Sequence, residues 1–94
     1  MSVIAKFRVD EIRITTQTRI IDRTKPSTPE NIEDAEMRTI IMSPVYGKGD
    51  PNHENTKFWQ ASPQGKLELG TINPEAWAHF ERNKEYNLTF TPAE

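Results

Sequence analysis

The chain contains no cysteine, and this absence excludes several kinds of chemistry. Disulfide bonds, zinc sites built on thiolates and cysteine nucleophiles are all ruled out. Glycine is also scarce, and the pair Gly47 and Gly49 is not followed by the Gly-Lys-Ser/Thr of a phosphate-binding loop. The lack of cysteine fits a protein of the reducing cytosol.

Long apolar runs are missing too. No stretch approaches the roughly 20 apolar residues of a membrane span, and residues 1–10 lack the apolar core and cleavage site of a signal peptide. Hydrophobic residues make up 34% of the 94, which suffices for one modest core. We therefore expect a single small β-rich domain over residues 1–94, with no membrane partner, that gains stability as a homo-oligomer.

No strong excess of one charge is present, because the net charge is −2. Dedicated double-stranded DNA binders usually carry a clear basic excess, so nucleic acid is not the expected partner. The charge is nevertheless unevenly spread. Residues 1–29 hold six basic and three acidic side chains, whereas residues 30–36 hold four acidic ones and no basic one.

Alternating apolar residues predict four or five β-strands. In the first strand region, apolar residues occupy odd positions before Asp10 and even positions after it. One extra residue at this point predicts a β-bulge or sharp bend, and two strands joined by a tight turn are the alternative. Further strands are predicted over residues 38–46, 66–72 and 85–91.

Two short helices and one long loop complete the predicted order. The first helix is predicted over residues 51–60 with Asp50 as its N-cap, and the second begins at Pro74 with Asn73 as its cap. Residues 22–37 are predicted as a long, acidic, proline-containing loop with one helical turn after Pro29. The fold class is α+β and mostly β: a small antiparallel sheet rolled into a barrel or half-barrel with two short helices.

A catalytic set is absent from the sequence. The two histidines, His53 and His79, belong to no spaced metal motif, and none of the four serines lies in a nucleophile elbow. We expect no enzymatic activity and no cofactor, because general acid–base catalysis needs paired titratable groups within reach of each other.

The segment from Tyr46 to Trp59 is the first candidate binding site. Phe58 and Trp59 are adjacent, so they cannot both face one core from a regular helix. An exposed ring next to amide and lysine side chains is typical of a ligand site, and the alternative is that both rings close the open end of the sheet. The candidate ligand-binding residues here are Tyr46, Asn55, Lys57, Phe58 and Trp59.

One face of the first strand region is the second candidate. Arg13 and Arg19 share this face with Thr15 and Gln17 between them, and two guanidinium groups can hold a phosphate or carboxylate. The alternative is an ordinary solvated sheet face.

Two stretches, ENTKFWQASPQGKLELGTINPEAWAHFE and KEYNLTFTPA, carry a family resemblance. Together with residues 38–53 they resemble small uncharacterised accessory proteins of tailed bacteriophages. The resemblance implies a phage accessory protein made in the host bacterial cytoplasm, and it implies no catalytic residue.

These observations predict a non-enzymatic binding protein. The leading hypothesis is an oligomeric protein that sequesters a nucleotide-type defence signal of the host. A single-stranded nucleic-acid-binding barrel with Phe58 and Trp59 as stacking platforms is the first alternative. A structural or host-protein-binding module that uses the acidic loop is the second.

Overall fold

A computed structural model describes residues 2–93. It contains a four-stranded antiparallel sheet with strand order β3-β2-β1-β4. The elements in chain order are β1 (Val3–Ile20), a 3-10 turn (Pro29–Asn31), β2 (Ile32–Pro44), α1 (Glu54–Trp59), β3 (Leu67–Thr71), α2 (Pro74–Trp77) and β4 (Glu85–Phe90). The mostly-β class with two short helices is confirmed. Neither helix within this range has the length and apolar content to cross a membrane.

The sheet is open, so the predicted closed barrel does not form. β3 and β4 form its two edges and contain only five and six residues. Closure of a barrel requires the edge strands to meet with a consistent tilt and stagger. Here the two central strands are much longer than their neighbours and continue beyond them.

The core lies on one face of the sheet. Alternate residues of β1 and β2 point to this face and form its cluster of buried apolar side chains: Ala5, Phe7, Val9, Ile40 and Met42. Both helices cover the same face, with Trp59 from α1 and Trp77 from α2 packed against these residues. Arg38 lies 4.7 Å above the ring of Trp77, which is within the range of a cation–π contact.

The β-bulge predicted near Asp10 is confirmed. The pairing of β1 with β2 shifts register between Val9 and Glu11, so Val9 and Ile12 both face the core. The bulge thus accounts for the change of apolar parity in the sequence.

Beyond the bulge, β1 and β2 form a protruding arm, which we define as residues 13–37. β4 pairs with β1 only from Val3 to Arg8, and β3 pairs with β2 only from Arg38 to Met42. The arm therefore has two strands where the body has four. It makes the molecule elongated, with extents of 56 × 32 × 20 Å and a radius of gyration of 17.6 Å. A compact chain of this length has a radius of gyration of about 12 Å.

The loop between β1 and β2 is shorter than predicted. Residues 32–37 lie in β2, because they pair with Thr15–Ile20 across the arm, so the connection spans only residues 21–31. The acidic residue Glu33 pairs with Arg19 across the arm. The helical turn after Pro29 is confirmed as a 3-10 turn. Asn31 closes the loop, since its buried side chain donates to the carbonyls of Asp22 and Pro26 and accepts from the Asp22 amide.

One of the two predicted helix caps is confirmed and the other is wrong. Asn73 caps α2 as expected, with its side chain accepting from the Glu75 amide. Asp50 does not cap α1; its side chain accepts from the amide of Asn52 in the preceding turn. The helix begins three residues later than expected, because His53 Nδ1 accepts from the Asn55 amide and serves as the cap.

Candidate binding groove

An open groove lies between the beginning of β1 and helix α1. Its volume is about 440 Å³, and its lining residues are Ser2, Val3, Ile4, Glu54, Lys57 and Phe58. Val3, Ile4 and Phe58 are each between 43% and 48% exposed. Large apolar side chains grouped in a concave surface are typical of binding sites rather than of ordinary solvated surface.

The buried side chain of Asn55 holds α1 against β1. Its Oδ1 accepts from the backbone N–H of Lys6 at 2.6 Å, and its Nδ2 donates to the carbonyls of Lys6 at 2.7 Å and Val45 at 2.6 Å. Asn55 therefore imitates the backbone of a neighbouring strand at the point where β2 has ended. All its polar groups are used within the chain, so Asn55 positions the groove and does not line it.

The adjacent rings of α1 point in different directions, as predicted. Trp59 is half-buried, its ring centroid lies 6.2 Å from that of Phe7, and its Nε1 donates to the Gln64 carbonyl at 3.0 Å. Phe58 stays in the groove, with its centroid 4.5 Å from that of Trp59. The ring of Trp59 thus packs against both Phe7 and Phe58.

The edge of β1 next to the groove is open for hydrogen bonding. At Lys6 the outward N–H and C=O are occupied by Asn55 and by the amide of Val45. Outward-facing residues alternate along a strand, so the N–H and C=O of Ile4 point the same way as those of Lys6. The backbone of Ile4 therefore faces the groove.

Two lysines and one glutamate carry the charge around the groove. Lys6 Nζ lies 3.8 Å from Glu54 Oε2. The pKa of Glu54 lies below its usual range, mainly because its own backbone N–H donates to the carboxylate, with Lys6, His53 and Lys57 adding to the effect. Glu54 therefore stays ionised at neutral pH, and it offsets part of the positive charge of Lys6 and Lys57 at the margin of the apolar groove.

A second cleft continues the groove along the end of β4. It has a volume of about 540 Å³ and is lined by Val3, Thr89, Phe90, Thr91 and Pro92. Val3 lines both concavities, and Phe90, its direct partner on β4, is 50% exposed. The apolar surface is therefore extended, running from Phe58 across Val3 to Phe90.

No protein-family model, no curated protein and no solved structure matches the chain.

The predicted site residues do not form one site. Lys57 and Phe58 line the groove, and Trp59 lies behind them. Tyr46 is 64% exposed but lies at a separate concavity beside Gly47 and the end of α1.

Arg13 and Arg19 lie on the arm, on the face opposite to the helices. At about 3.3 Å per residue, they are roughly 20 Å and 40 Å from Phe7. Arg13 Nε is 3.3 Å from Glu11 Oε2, and Arg19 Nε is 2.8 Å from Glu33 Oε1. Neither can contact a small ligand held beside Phe58 of the same chain.

Three groove residues were missed in the sequence: Val3, Ile4 and Phe90. Val3 and Ile4 are adjacent apolar residues in an alternating strand, so one of them has to point away from the core. The adjacent pair could therefore have indicated an exposed apolar residue. Nothing in the sequence indicates that Phe90 is exposed, because it continues the apolar alternation of a core strand; it is exposed because the helices do not cover it.

The described residues show no group of three or more side chains suited to hold a metal ion. His53 caps α1, and His79 is exposed on the turn after α2, where its carbonyl accepts from the Tyr86 hydroxyl at 2.8 Å.

Proposed function

We propose that this chain is a non-enzymatic accessory binding protein of a bacteriophage that holds an extended apolar segment of a partner protein in the groove. The single observation that carries the proposal is the exposed row of Phe58, Val3 and Phe90 beside an open strand edge. The phage origin is supported by the resemblance of residues 38–93 to phage accessory proteins.

The shape of the surface favours a peptide segment. The two concavities share Val3 and together follow the beginning of β1 and the end of β4. This elongated shape suits a peptide segment with several apolar side chains. An extended segment that pairs with the Ile4 backbone adds a short strand to the sheet edge, and alternate side chains then fill the groove. Glu54 offsets part of the positive charge of Lys6 and Lys57, so the mainly apolar groove suits a segment of low charge.

The test compares two exposed aromatic residues. Binding to an array of short peptides from host and phage proteins is measured for the wild type, Phe58→Ala and Tyr46→Ala. We expect the wild type to select peptides with alternating apolar residues. Phe58→Ala is expected to bind them more than about tenfold more weakly, since loss of a central aromatic anchor costs on the order of 2 kcal/mol.

Tyr46→Ala is the matched control, because Tyr46 is exposed and lies outside the groove. It should bind the same peptides as the wild type. Equal binding by Phe58→Ala, or an equal loss in Tyr46→Ala, would contradict the proposal.

A second candidate is capture of a nucleotide-type ligand, such as a host defence signal, at the same groove. Phe58 offers a ring for stacking and Lys57 a cation for phosphate, and both line the groove. Calorimetry with cyclic and linear nucleotides tests this candidate. It predicts heat that disappears in Phe58→Ala and Lys57→Gln but not in Tyr46→Ala, whereas absence of heat with every nucleotide removes it and leaves the peptide proposal standing.

A further inference from the structure

The arm has an unsatisfied strand edge along β1. Past Arg8, β4 no longer pairs with β1, so residues 12–20 have a neighbour only on the β2 side. A two-stranded ribbon is marginally stable in water, and a third strand or a packed face is usually needed to hold it. Ile14 and Ile20 are nevertheless 59% and 40% exposed on this ribbon.

The hydrogen-bonding direction along this edge is determined by the ladder with β2. The Ile21 amide donates to the Asn31 carbonyl on the β2 side. Because the direction alternates along a strand, the odd-numbered residues of the arm face β2 and the even-numbered residues from 12 to 20 face outward. The outward residues are Ile12, Ile14, Thr16, Thr18 and Ile20, and their side chains lie on the core face of the sheet.

The geometry of a twofold axis restricts how this edge can pair with itself. An antiparallel pair of identical strands in one sheet is related by an axis perpendicular to the sheet, which keeps the core face of both copies on the same side. Only residues of equal parity can then lie opposite each other. Pairing of the even residues brings outward N–H and C=O groups of both copies together.

We propose that two copies of this chain pair antiparallel through β1 of the arm, with Gln17 of one copy opposite Gln17 of the other. Thr16 then lies opposite Thr18, and Ile14 opposite Ile20, in both directions. The four pairs of outward-facing residues form about eight new backbone hydrogen bonds. The product is a four-stranded ribbon of order β2-β1-β1-β2 across the dimer.

Side-chain matching selects this register. Ile14 pairs with Arg38 and Ile20 with Ile32 inside each arm, so the dimer places Ile32 and Ile20 of one copy in a row with Ile14 of the other. Pairs of β-branched residues across strands are favourable. On the outer face, Thr15 lies opposite Arg19, and no like charges are paired.

Neighbouring registers are worse. A shift centred on Thr16 places Arg13 opposite Arg19, which pairs like charges across the strands. A shift centred on Thr18 places Thr16 opposite Ile20 and Ile14 opposite Asp22, so it pairs no isoleucine with another isoleucine. A shift centred on Thr15 avoids like charges, but it places Ile14 opposite Thr16 and Ile12 opposite Thr18 and likewise pairs no isoleucine with another.

A cysteine scan tests both the dimer and its register, and the natural chain contributes no cysteine of its own. Gln17→Cys places two thiols across the axis at a non-hydrogen-bonded pair, where Cα atoms are about 4.5 Å apart and a disulfide is geometrically allowed. We expect nearly complete crosslinking under mild oxidation. Thr15→Cys, equally exposed on the same face, is the matched control; its thiols are separated by four residues, roughly 13 Å, and should not crosslink.

A proline variant and the wild type complete the test. Thr16→Pro removes an outward N–H while leaving the β2 ladder intact, because proline is tolerated on a free strand edge. Native mass spectrometry should show a dimer for the wild type and for Thr16→Val, and a monomer for Thr16→Pro. A wild-type monomer at micromolar concentration, a dimeric Thr16→Pro, or crosslinking of Thr15→Cys in place of Gln17→Cys would overturn the proposal.

Discussion

Asn55 joins three segments of the chain through one buried amide. Asn55 lies in α1, and its side chain forms hydrogen bonds with the N–H and C=O of Lys6 on β1 and with the carbonyl of Val45 after β2. The sequence places an amide in this region but does not reveal that the amide is fully buried. Its partners are backbone groups up to 49 residues away, and backbone groups leave no trace in residue identity.

Asn55→Ala should destabilise the protein by about 3 kcal/mol, because a buried backbone donor and acceptor lose their partner. Chemical denaturation monitored by tryptophan fluorescence measures the effect. Asn52→Ala is the control, since Asn52 is exposed, and it should change stability by less than about 0.5 kcal/mol. A loss of comparable size in both variants would show that the amide clamp is not what holds α1.

The elements of the body follow local sequence patterns closely. β3, β4 and the beginning of α2 lie within one or two residues of their predicted bounds, and Asn83 in the turn before β4 adopts a left-handed conformation with φ of 70°. The parity of apolar residues predicted either a bulge near Asp10 or two strands joined by a turn, and the continuous β1 shows that it is the bulge. β2 began six residues earlier than predicted, because residues 32–37 look like a solvated loop and become a strand only by pairing with β1.

Deletion of Asp10 should be tolerated. Val9, Glu11 and Ile12 then alternate regularly, and Ile12 keeps its place opposite Ile40 on the core face. The main loss is the hydrogen bond from the Ser43 hydroxyl to Asp10, worth about 1 kcal/mol.

Deletion of Arg13 is the matched comparison in the same strand. It turns Ile14 and Ile20 to the outer face and should lower the melting temperature more than deletion of Asp10 does. Circular dichroism on heating measures both variants. Equal melting temperatures would contradict the assignment of the bulge to Asp10.

At the scale of the whole molecule, the body and the arm have separate sources of stability. The buried core contains Ala5, Phe7, Val9, Ile40 and Met42, and none of these belongs to the arm. The arm depends on its β1–β2 ladder and, in the proposed dimer, on the second copy. The groove lies at the opposite end of β1 from the arm. The groove can therefore bind a partner while the arm pairs with a second copy.

Removal of most of the arm should leave the body folded. Residues 16–36 are replaced by Asn-Gly, which joins the paired residues Thr15 and Met37 through a tight hairpin turn. Calorimetry at several protein concentrations should show a melting temperature that rises with concentration for the full chain and stays constant for the shortened one. Failure of the shortened chain to unfold cooperatively would show that the body needs the arm.

Local order along the chain was decided by neighbouring residues. Alternating apolar positions placed the strands of the body, an extra residue at Asp10 placed the bulge, and adjacency on α1 left Phe58 exposed beside a half-buried Trp59. These features depend on backbone geometry over a few residues and can be read directly. The open sheet, the length of the arm and the groove between β1 and α1 arise only from pairing between distant segments. Such pairing depends on where strands end and what covers them, and both are properties of the assembled chain.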